Sequence, residues 1–195
     1  MTPLIIVPAR QMSQGRPCKN RESWPALFGV VSSLSWPMVV VTDDPCVLAE
    51  SLPYDAWRVW LPMGPDHTVS QAVRYALQRG HAYEVVVVLQ PSSPTRNRVE
   101  YVRSAVHLLE THPEATSVVS VVPWTGEPPS KACTLSQDGT LTIPPSPEPR
   151  QLQPQHYRRD GTVYAVRRAY AQAGDLYGPR PVPLLIHPDD SVTLD

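Results

Sequence analysis

The chain has 195 residues, the length of one ordinary domain, and that is enough to bury a core without disulfide or metal support. Its formal net charge of −1 excludes a general attraction to nucleic acid or to anionic membranes. The three cysteines are widely spaced and show neither a disulfide framework nor a zinc-binding pattern. The N-terminal apolar run is too short for a signal peptide or a membrane span. We therefore expect one cytoplasmic domain over residues 1–195.

Short apolar runs alternate with helix-like segments along the first two thirds of the chain. Runs of β-branched residues predict strands that are buried on both faces, at residues 4–7, 38–42, 84–89 and 117–122. Between them, apolar residues repeat at helical spacing or proline marks a helix start, at residues 25–34, 45–52, 67–79 and 98–110. This order predicts a mixed, mainly parallel sheet with helices on both faces, and binding residues just beyond the carboxyl ends of its strands.

The chain changes character after about Pro123. Five of its 24 prolines fall between Pro144 and Pro154, which indicates an extended arm rather than a core element. Short strands are predicted around the arm, at residues 132–135, 141–143 and 162–166. From the residues alone, a disordered linker and an ordered β-rich excursion are both open.

The segment that follows the first strand, residues 8–20, combines cations, a hydroxyl and one glycine. Backbone N–H groups and cations just past a strand end are suited to holding a triphosphate, although the segment is neither a Walker A loop nor GxGxxG. An anion site and an ordinary polar loop are both compatible with this composition.

Several motifs, in order, resemble those of the CMP-sialic acid synthetases and related cytidylyltransferases. Residues 5–20 match the signature loop Ile-Ile-x-Pro-Ala-Arg-x-x-Ser-x-Gly-x-Pro-x-Lys-Asn. Residues 41–44 resemble the end of the family's second strand, residues 89–96 its Leu-Gln-Pro-Thr-Ser-Pro-Leu-Arg element, and residues 159–164 its Arg-Asn-Gly-Ala-Ile-Tyr strand. A weaker match covers residues 149–155. Together these matches span nearly the whole chain.

The resemblance implies a fold and an assembly. The fold would be a three-layer αβα sandwich of the Rossmann-like nucleotide-diphospho-sugar transferase type, built on a mixed, mainly parallel sheet. A β-rich arm at about residues 123–155 would reach across a homodimer. The reaction would use CTP to activate a nonulosonic, sialic-type acid, releasing pyrophosphate, with neither nucleic acid nor membrane as a partner.

The resemblance also implies roles for individual residues. Arg10 and Lys19 would be catalytic, and the nucleotide would be bound by Ala9, Arg10, Ser13, Gly15, Lys19, Asn20, Asp66 and Thr68. The sugar acid would be held by Gln90, Lys131, Arg150, Asp160 and Tyr164, with Lys131 and Arg150 supplied by the partner subunit. For two of these, a structural role is the alternative, since Arg150 suits a solvated arm and Tyr164 a core.

The resemblance places a Mg²⁺ site at the C-terminus, where the family has an Asp-x-Asp pattern. In this sequence Asp195 stands at the second aspartate and Thr193 at the first, and a threonine hydroxyl is a poorer ligand than a carboxylate. The expected metal site is therefore weak or rich in water. No motif residue is an evident general base for the attacking hydroxyl.

Other departures from the family pattern leave alternatives open. Gln14 and Leu61 stand where relatives often have cations, and Asp160 replaces an asparagine. One alternative is a cytidylyltransferase for another ulosonic acid, although the eight-carbon branch typically has an acidic residue in the element at residues 89–96. The other is a nucleotide-binding pseudoenzyme of the same fold.

Overall fold

The computed structural model describes residues 2–11, 19–62, 64, 67–126, 129–143, 152 and 154–194, with the backbone alone for Lys19. In chain order the elements are β1 (Leu4–Ala9), α1 (Lys19–Glu22), α2 (Trp24–Leu34), β2 (Met38–Thr42), α3 (Pro45–Glu50), β3 (Ala56–Trp60), α4 (Val69–Leu77), β4 (Val85–Val88), α5 (Arg98–Thr111), β5 (Ser117–Pro123), β6 (Thr134–Leu135), β7 (Leu141–Thr142), β8 (Tyr157–Arg167), α6 (Arg168–Ala173) and β9 (Pro181–Leu185). A short 3-10 turn, Pro129–Lys131, precedes β6.

The main sheet has seven strands in the order β3-β2-β1-β4-β8-β5-β9. Strands β1 to β4 pair in parallel, and β9 is parallel to β5. Strand β8 runs antiparallel to both of its neighbours and has a register irregularity opposite Val119 to Val121. The mixed, mainly parallel sheet expected from the sequence is confirmed, with β8 as its antiparallel member.

Alternate residues of the central strands face two separate cores, which makes the three layers. Ile5 and Val7 lie with α2, α3 and α5 on one face, through buried side chains such as Phe28 and Val102. Leu4 and Ile6 lie on the other face with the apolar side of α4. Because both faces are covered, the central strands read as unbroken apolar runs rather than as alternating ones.

Four elements of the main domain were not expected from the sequence, the first of them the four-residue helix α1. Strand β9 contains Pro181 and Pro183, which are unusual in a strand but tolerated at a sheet edge. Strand β3 is the other edge and mixes exposed tryptophans with Arg58, so it lacks the valine-rich pattern of the inner strands. Helix α6 follows β8 directly and has only six residues.

The described part of the arm forms a small sheet of its own. Strands β6 and β7 pair with each other through Thr134–Thr142 and Leu135–Leu141, separately from the main sheet. In the parts of the chain that the structure describes, no helix is long and apolar enough to cross a membrane. Cys46 and Cys133 are thiols, half-buried and exposed respectively.

Adjacent leucines on α5 provide a direct test of the core assignment. Leu109 is 1% exposed and belongs to the core on the α5 face, whereas Leu108 only packs against its border. We expect Leu109→Ala to lower the free energy of unfolding by about 2–5 kcal/mol and Leu108→Ala by clearly less. Urea unfolding of the two variants measures the difference, and equal losses would contradict this packing.

Candidate active site

The ends of four strands meet at one end of the main sheet, which we call its carboxyl edge. The parallel strands β1, β2 and β4 end there, and the antiparallel strand β8 begins there. Thr42 Oγ1 donates to the carbonyl of Ala9, and Asp43 Oδ1 accepts from the Gln11 amide at 2.7 Å. Asp44 caps α3 by accepting from the Cys46 amide at 2.8 Å. Residues 41–44 therefore anchor the start of the loop that follows β1.

A small cavity of about 180 Å³ opens at this edge. Asn20 Nδ2 donates to the carbonyl of Arg10 at 2.8 Å, and Arg10 Nη1 lies 3.4 Å from the carbonyl of His67. These contacts tie α1 and the segment before α4 to the end of β1. The lining residues are Pro8, Arg10, Asn20, His67, Thr68, Val69, Ala72, Gln90, Pro91 and Ser92. Four residues with predicted binding roles, Arg10, Asn20, Thr68 and Gln90, are thus brought together.

Thr68 has a structural task at this cavity. Its hydroxyl accepts from the Gln71 amide at 3.2 Å, and Gln71 Oε1 accepts from the Thr68 amide at 2.7 Å, which completes a capping box. The start of α4 is thereby fixed beside the cavity. An anion in the cavity would lie near the positive end of this helix.

Part of the predicted phosphate-binding set cannot be placed. Lys19 begins α1, but its side chain lies outside the described residues. The same holds for the whole of Ser13, Gly15, Asp66, Arg150 and Asp195. Their proposed roles stay predictions. Ala9 is described and fully buried at the end of β1, with its carbonyl taken by Thr42.

A larger cleft of about 740 Å³ adjoins the small cavity. The two share Thr68, Val69, Gln90 and Ser92 in their walls. The cleft brings together the predicted substrate residues Gln90, Asp160 and Tyr164. Its remaining lining comprises Ser70, Ser93, Arg158, Arg159, Gly161, Leu176, Tyr177 and Thr193.

The floor of the cleft is formed where Gly161 crosses Gln90 and Ser93. Gly161 has a φ of +77°, and a Cβ added to it would lie 2.6 Å from Ser93 Oγ and 2.8 Å from Gln90 Oε1. Ser93 Oγ also lies 3.2 Å from the carbonyl of Asp160. The positive φ favours glycine here, and a Cβ would also displace the ends of the Ser93 and Gln90 side chains from their present positions.

Beneath this floor lies a buried arginine. Arg98 is 3% exposed and donates to the carbonyl of Thr162 through Nε (3.0 Å) and Nη2 (2.8 Å), and to the carbonyl of Gln90 through Nη2 (2.9 Å). Burial lowers the pKa of Arg98 to about 10, and the charge of Asp160 opposes that change. The guanidinium is therefore still charged at neutral pH and links the segment just past the end of β4 to the middle of β8.

Asp160, predicted to bind substrate, is itself held in the same network. Its Oδ1 accepts from the Thr162 amide at 3.1 Å and its Oδ2 from Thr162 Oγ1 at 2.6 Å. Thr162 Oγ1 also lies 2.6 Å from Thr95 Oγ1. Asp160 is 3% exposed, so most of its carboxylate serves this network and only its edge meets the cleft.

The far wall of the cleft is aromatic and cationic. The rings of Tyr164 and Tyr177 meet edge to face with their centroids 6.2 Å apart. Arg159 lies over the Tyr177 ring and donates to its hydroxyl. Burial raises the pKa of Tyr164 to about 12, with Tyr177 and Asp160 adding to the rise and Arg159 opposing it. Tyr164 therefore presents a neutral hydroxyl to the cleft.

The C-terminal segment is fastened along the same edge. Asp190 accepts from Tyr101 Oη at 2.7 Å, which is the main reason that its pKa is lowered, and the Leu194 amide donates to the carbonyl of Ser92 at 2.8 Å. These contacts bring Thr193 into the cleft wall. The position that the resemblance assigns to the first metal-binding aspartate is thus at the cleft, but it is occupied by a hydroxyl.

The described donors do not fit a magnesium ion held by protein carboxylates. Among the residues in the structure, no three His, Cys, Asp or Glu side chains are grouped to bind a metal ion. The described cleft wall offers one carboxylate, Asp160, and Thr162 uses both of its oxygens. Mg²⁺ prefers several oxygen ligands. The predicted Mg²⁺ site therefore depends on Asp195, which lies outside the described residues.

Lys131 lies away from these walls. It ends the exposed 3-10 turn of the arm and lines neither cavity. This position is compatible with the prediction that it acts on a partner's site, which the single chain does not test.

Sequence reasoning missed several residues that the structure places in or under the cleft. Arg98 looked like an ordinary first residue of a helix, and Arg158 stood just outside the matched motif. Tyr177 lies in a turn that Asp175 fixes by accepting from the amides of Tyr177 and Gly178. A charged residue on the apolar side of α5 was the one available signal for Arg98.

No protein-family model matches the chain, and no curated protein sequence matches it. Solved structures do. A CMP:2-keto-3-deoxy-manno-octonic acid synthetase in complex with CTP is 15% identical, with a TM-score of 0.67 over 95% of this chain and 91% of that one. The 4-diphosphocytidyl-2C-methyl-D-erythritol synthase of Anaerococcus prevotii is 11% identical, with a TM-score of 0.62 over 99% and 92%. The predicted nucleotidyltransferase-type fold is confirmed.

The requirement for glycine at the cleft floor can be tested against a matched control. Gly161 and Gly139 both have positive φ, but a Cβ on Gly139 would meet nothing within 4 Å. Both alanine variants bear the conformational strain, of about 1 kcal/mol, and only Gly161→Ala adds the clash. We expect Gly161→Ala to lower the thermal midpoint clearly more than Gly139→Ala. Equal shifts by calorimetry would contradict the close packing of β8 on Gln90.

Proposed function

We propose that the protein is a cytidylyltransferase that transfers CMP from CTP to the anomeric hydroxyl of a sialic-type nonulosonic acid and releases pyrophosphate. The observation that carries the proposal is the pair of joined cavities at the carboxyl edge of the sheet. One is bordered by Arg10, Asn20 and the start of α4, and the other by arginines and tyrosines of β8 and the following turn. Two adjoining polar cavities suit two reactants held side by side.

The nucleotide is assigned to the small cavity. The signature loop at residues 5–20 reaches it through Arg10 and Asn20, and the two solved structures compared above are a CMP:2-keto-3-deoxy-manno-octonic acid synthetase in complex with CTP and a 4-diphosphocytidyl-2C-methyl-D-erythritol synthase. The cavity is small, at about 180 Å³, which favours a pyrimidine over a purine. The triphosphate would lie toward Arg10 and the part of the loop outside the described residues, with Lys19 as the second cation.

The acid is assigned to the larger cleft. Its charge is matched by Arg158 and Arg159 in addition to the predicted arm residues Lys131 and Arg150. Gln90 and the neutral hydroxyl of Tyr164 supply uncharged hydrogen-bonding groups for sugar hydroxyls. Such a wall, cationic at one end and neutral at the other, fits a polyhydroxylated carboxylic acid.

The chain's own residues would act mainly by alignment and charge. In-line attack on the α-phosphate needs the acid's hydroxyl and the nucleotide held together, and a wall shared by both cavities, which includes Thr68, Gln90 and Ser92, would allow them to meet. Arg10, and Lys19 from the resemblance, would stabilise the charge that develops on the phosphates. A Mg²⁺ ion, when bound with Asp195 and the phosphates, would supply further neutralisation.

A second candidate substrate is the eight-carbon acid. The fold similarity to the synthetase of 2-keto-3-deoxy-manno-octonic acid favours it. Against it, residues 89–96 contain no acidic residue, and Ser92 and Ser93 line the cleft instead. The third hypothesis, a pseudoenzyme that binds nucleotide without turnover, is based on Gln14 and Thr193. The assay described below distinguishes the nine-carbon enzyme, the eight-carbon enzyme and the pseudoenzyme.

We also propose that the protein is a cytoplasmic homodimer whose arm, at about residues 123–155, completes the partner's cleft. The described part of the arm exposes large apolar side chains that an isolated monomer would leave in water, namely Leu135 (70%), Leu141 (53%), Ile143 (69%) and Leu152 (68%). An isologous interface would bury these and bring Lys131 toward a second cleft.

The activity is tested by pyrophosphate release from CTP with a panel of sialic, legionaminic, pseudaminic and 2-keto-3-deoxy-octonic acids. We expect turnover with a nine-carbon acid and a preference for CTP over ATP, GTP and UTP.

We expect Arg10→Ala to lower kcat/KM by at least about tenfold, because a charge-assisted contact is worth about 1.5–3 kcal/mol. Arg79→Ala is the control, because Arg79 lies near the other end of α4 over Tyr75. Turnover with the eight-carbon acid alone would select the second candidate, and CTP binding without turnover the pseudoenzyme.

The shared site is tested by mixing inactive subunits. An Arg10→Ala protomer combined with a Lys131→Ala protomer forms mixed dimers in which one cleft carries both changes and the other carries neither. With random exchange, about half of the dimers are mixed, so we expect recovery of about a quarter of the wild-type activity. A monomer by light scattering, or no recovery once exchange is demonstrated, would exclude the shared cleft.

A further inference from the structure

A separate cavity of about 410 Å³ lies at the opposite end of the main sheet, by the amino ends of β2 and β3, and we call it the aromatic cavity. It is lined by Val31, Ser32, Ser35, Trp36, Pro37, Met38, Tyr54, Asp55 and Trp57. Met38 and Ala56 are the first residues of β2 and β3, so the cavity is separated from the cleft by the length of these strands, about 17 Å. Nothing in the proposed reaction uses it.

Three aromatic side chains line this cavity. Trp36 and Tyr54 are half-buried, and Trp57 is 48% exposed. Phe28 stacks on one face of the Tyr54 ring with the centroids 3.5 Å apart, and the His81 ring lies 4.6 Å from Trp57. Burial, and then the charge of Arg168, lower the pKa of His81, so the ring that contacts Trp57 is neutral at neutral pH.

The described lining of the cavity carries an acidic charge, while the guanidinium of Arg58 lies behind the wall on the carbonyls of Ser51, Leu52 and Tyr54. Asp55 is the charged residue in its lining, which includes no Lys, Arg or His. The last turn of α2 also borders it, through Val31, Ser32 and the cap Ser35, and that turn carries no basic residue. The carboxyl end of a helix has a negative partial charge. Arg103 binds the carbonyl of Ser33, but neither of these residues lines the cavity.

The walls of the cavity are firmly held. Arg58 Nη2 donates to the carbonyls of Ser51 (2.8 Å), Leu52 (3.1 Å) and Tyr54 (2.9 Å), which fixes the turn before Asp55. Across the cavity, β2 and β3 pair in register from Met38 and Ala56 onward. The aromatic residues are thus presented by a preformed frame rather than by a loose surface.

We propose that the aromatic cavity binds a small organic cation of the methylammonium class. Aromatic faces together with a carboxylate and a helix carboxyl end attract a weakly hydrated cation, which loses little solvation on entering such a site. The volume is that of a small-molecule site. A neutral apolar ligand would gain nothing from Asp55, and an anion would be repelled by it.

Tryptophan fluorescence and calorimetry with choline and tetramethylammonium chloride test the proposal, with sodium chloride at equal ionic strength as the blank. We expect saturable binding with a Kd of about 1 mM or tighter. The neutral alcohol with a tert-butyl group in place of trimethylammonium should bind at least about fivefold more weakly. Asp55→Asn, at an exposed position, should weaken choline binding by a similar factor.

Trp57 has a matched control on the same strand. Trp60 is 49% exposed, against 48% for Trp57, but does not line the cavity. We expect Trp57→Leu to weaken binding by at least about fivefold and Trp60→Leu to leave it unchanged, with both variants folded by circular dichroism. Absence of saturation, equal binding of the neutral alcohol, or equal effects of the two substitutions would overturn the proposal. None of these outcomes depends on cytidylyltransferase activity.

Discussion

The buried guanidinium of Arg98 is the interaction on which the cleft depends. It donates hydrogen bonds to the carbonyl of Gln90, just past the end of β4, and to the carbonyl of Thr162 in β8. It therefore joins these two antiparallel strands beyond the last paired residue of β4. Removing it would leave the buried carbonyl of Thr162 and the part-buried carbonyl of Gln90 without this donor, and an unsatisfied buried group costs about 1–3 kcal/mol. Because Arg98 fixes β8 next to the end of β4, Gly161 can approach Gln90 closely enough to form the floor of the cleft.

The direction of the strands explains why polar residues gather at this end of the sheet. Parallel strands bring their carboxyl ends to one side of the sheet, and β8 adds its amino end because it runs in the opposite direction. Residues that are far apart in sequence, such as Arg10, Thr68, Gln90 and Tyr164, therefore border one continuous space. The loops at this edge are held by the bond that Thr42 donates to Ala9, by the bond that Asp43 accepts from Gln11, and by the capping box of Thr68 and Gln71.

The inner strands were predictable because burial on both faces gives unbroken apolar runs. The amphipathic helices were predictable because burial on one face gives apolar residues at helical spacing. Strands β3 and β9 were not, since an edge strand is exposed and tolerates Trp57, Arg58 or Pro183. In the site, Arg10, Gln90 and Tyr164 stand in contiguous motifs, and the structure places them in the cavity walls, while their roles stay predictions. Arg98 and Tyr177 were not predicted, because their importance comes from contacts across 64 and 18 residues that no local pattern records.

The central claim is that CTP binds where the ends of β1 and β4 meet the start of α4. A crystal structure of the protein grown with CTP tests it most directly. We expect the triphosphate beside Arg10, the cytosine in the small cavity, and the larger cleft left open next to the α-phosphate. CTP bound away from the residues that line these two cavities would contradict the account, whatever activity the protein shows.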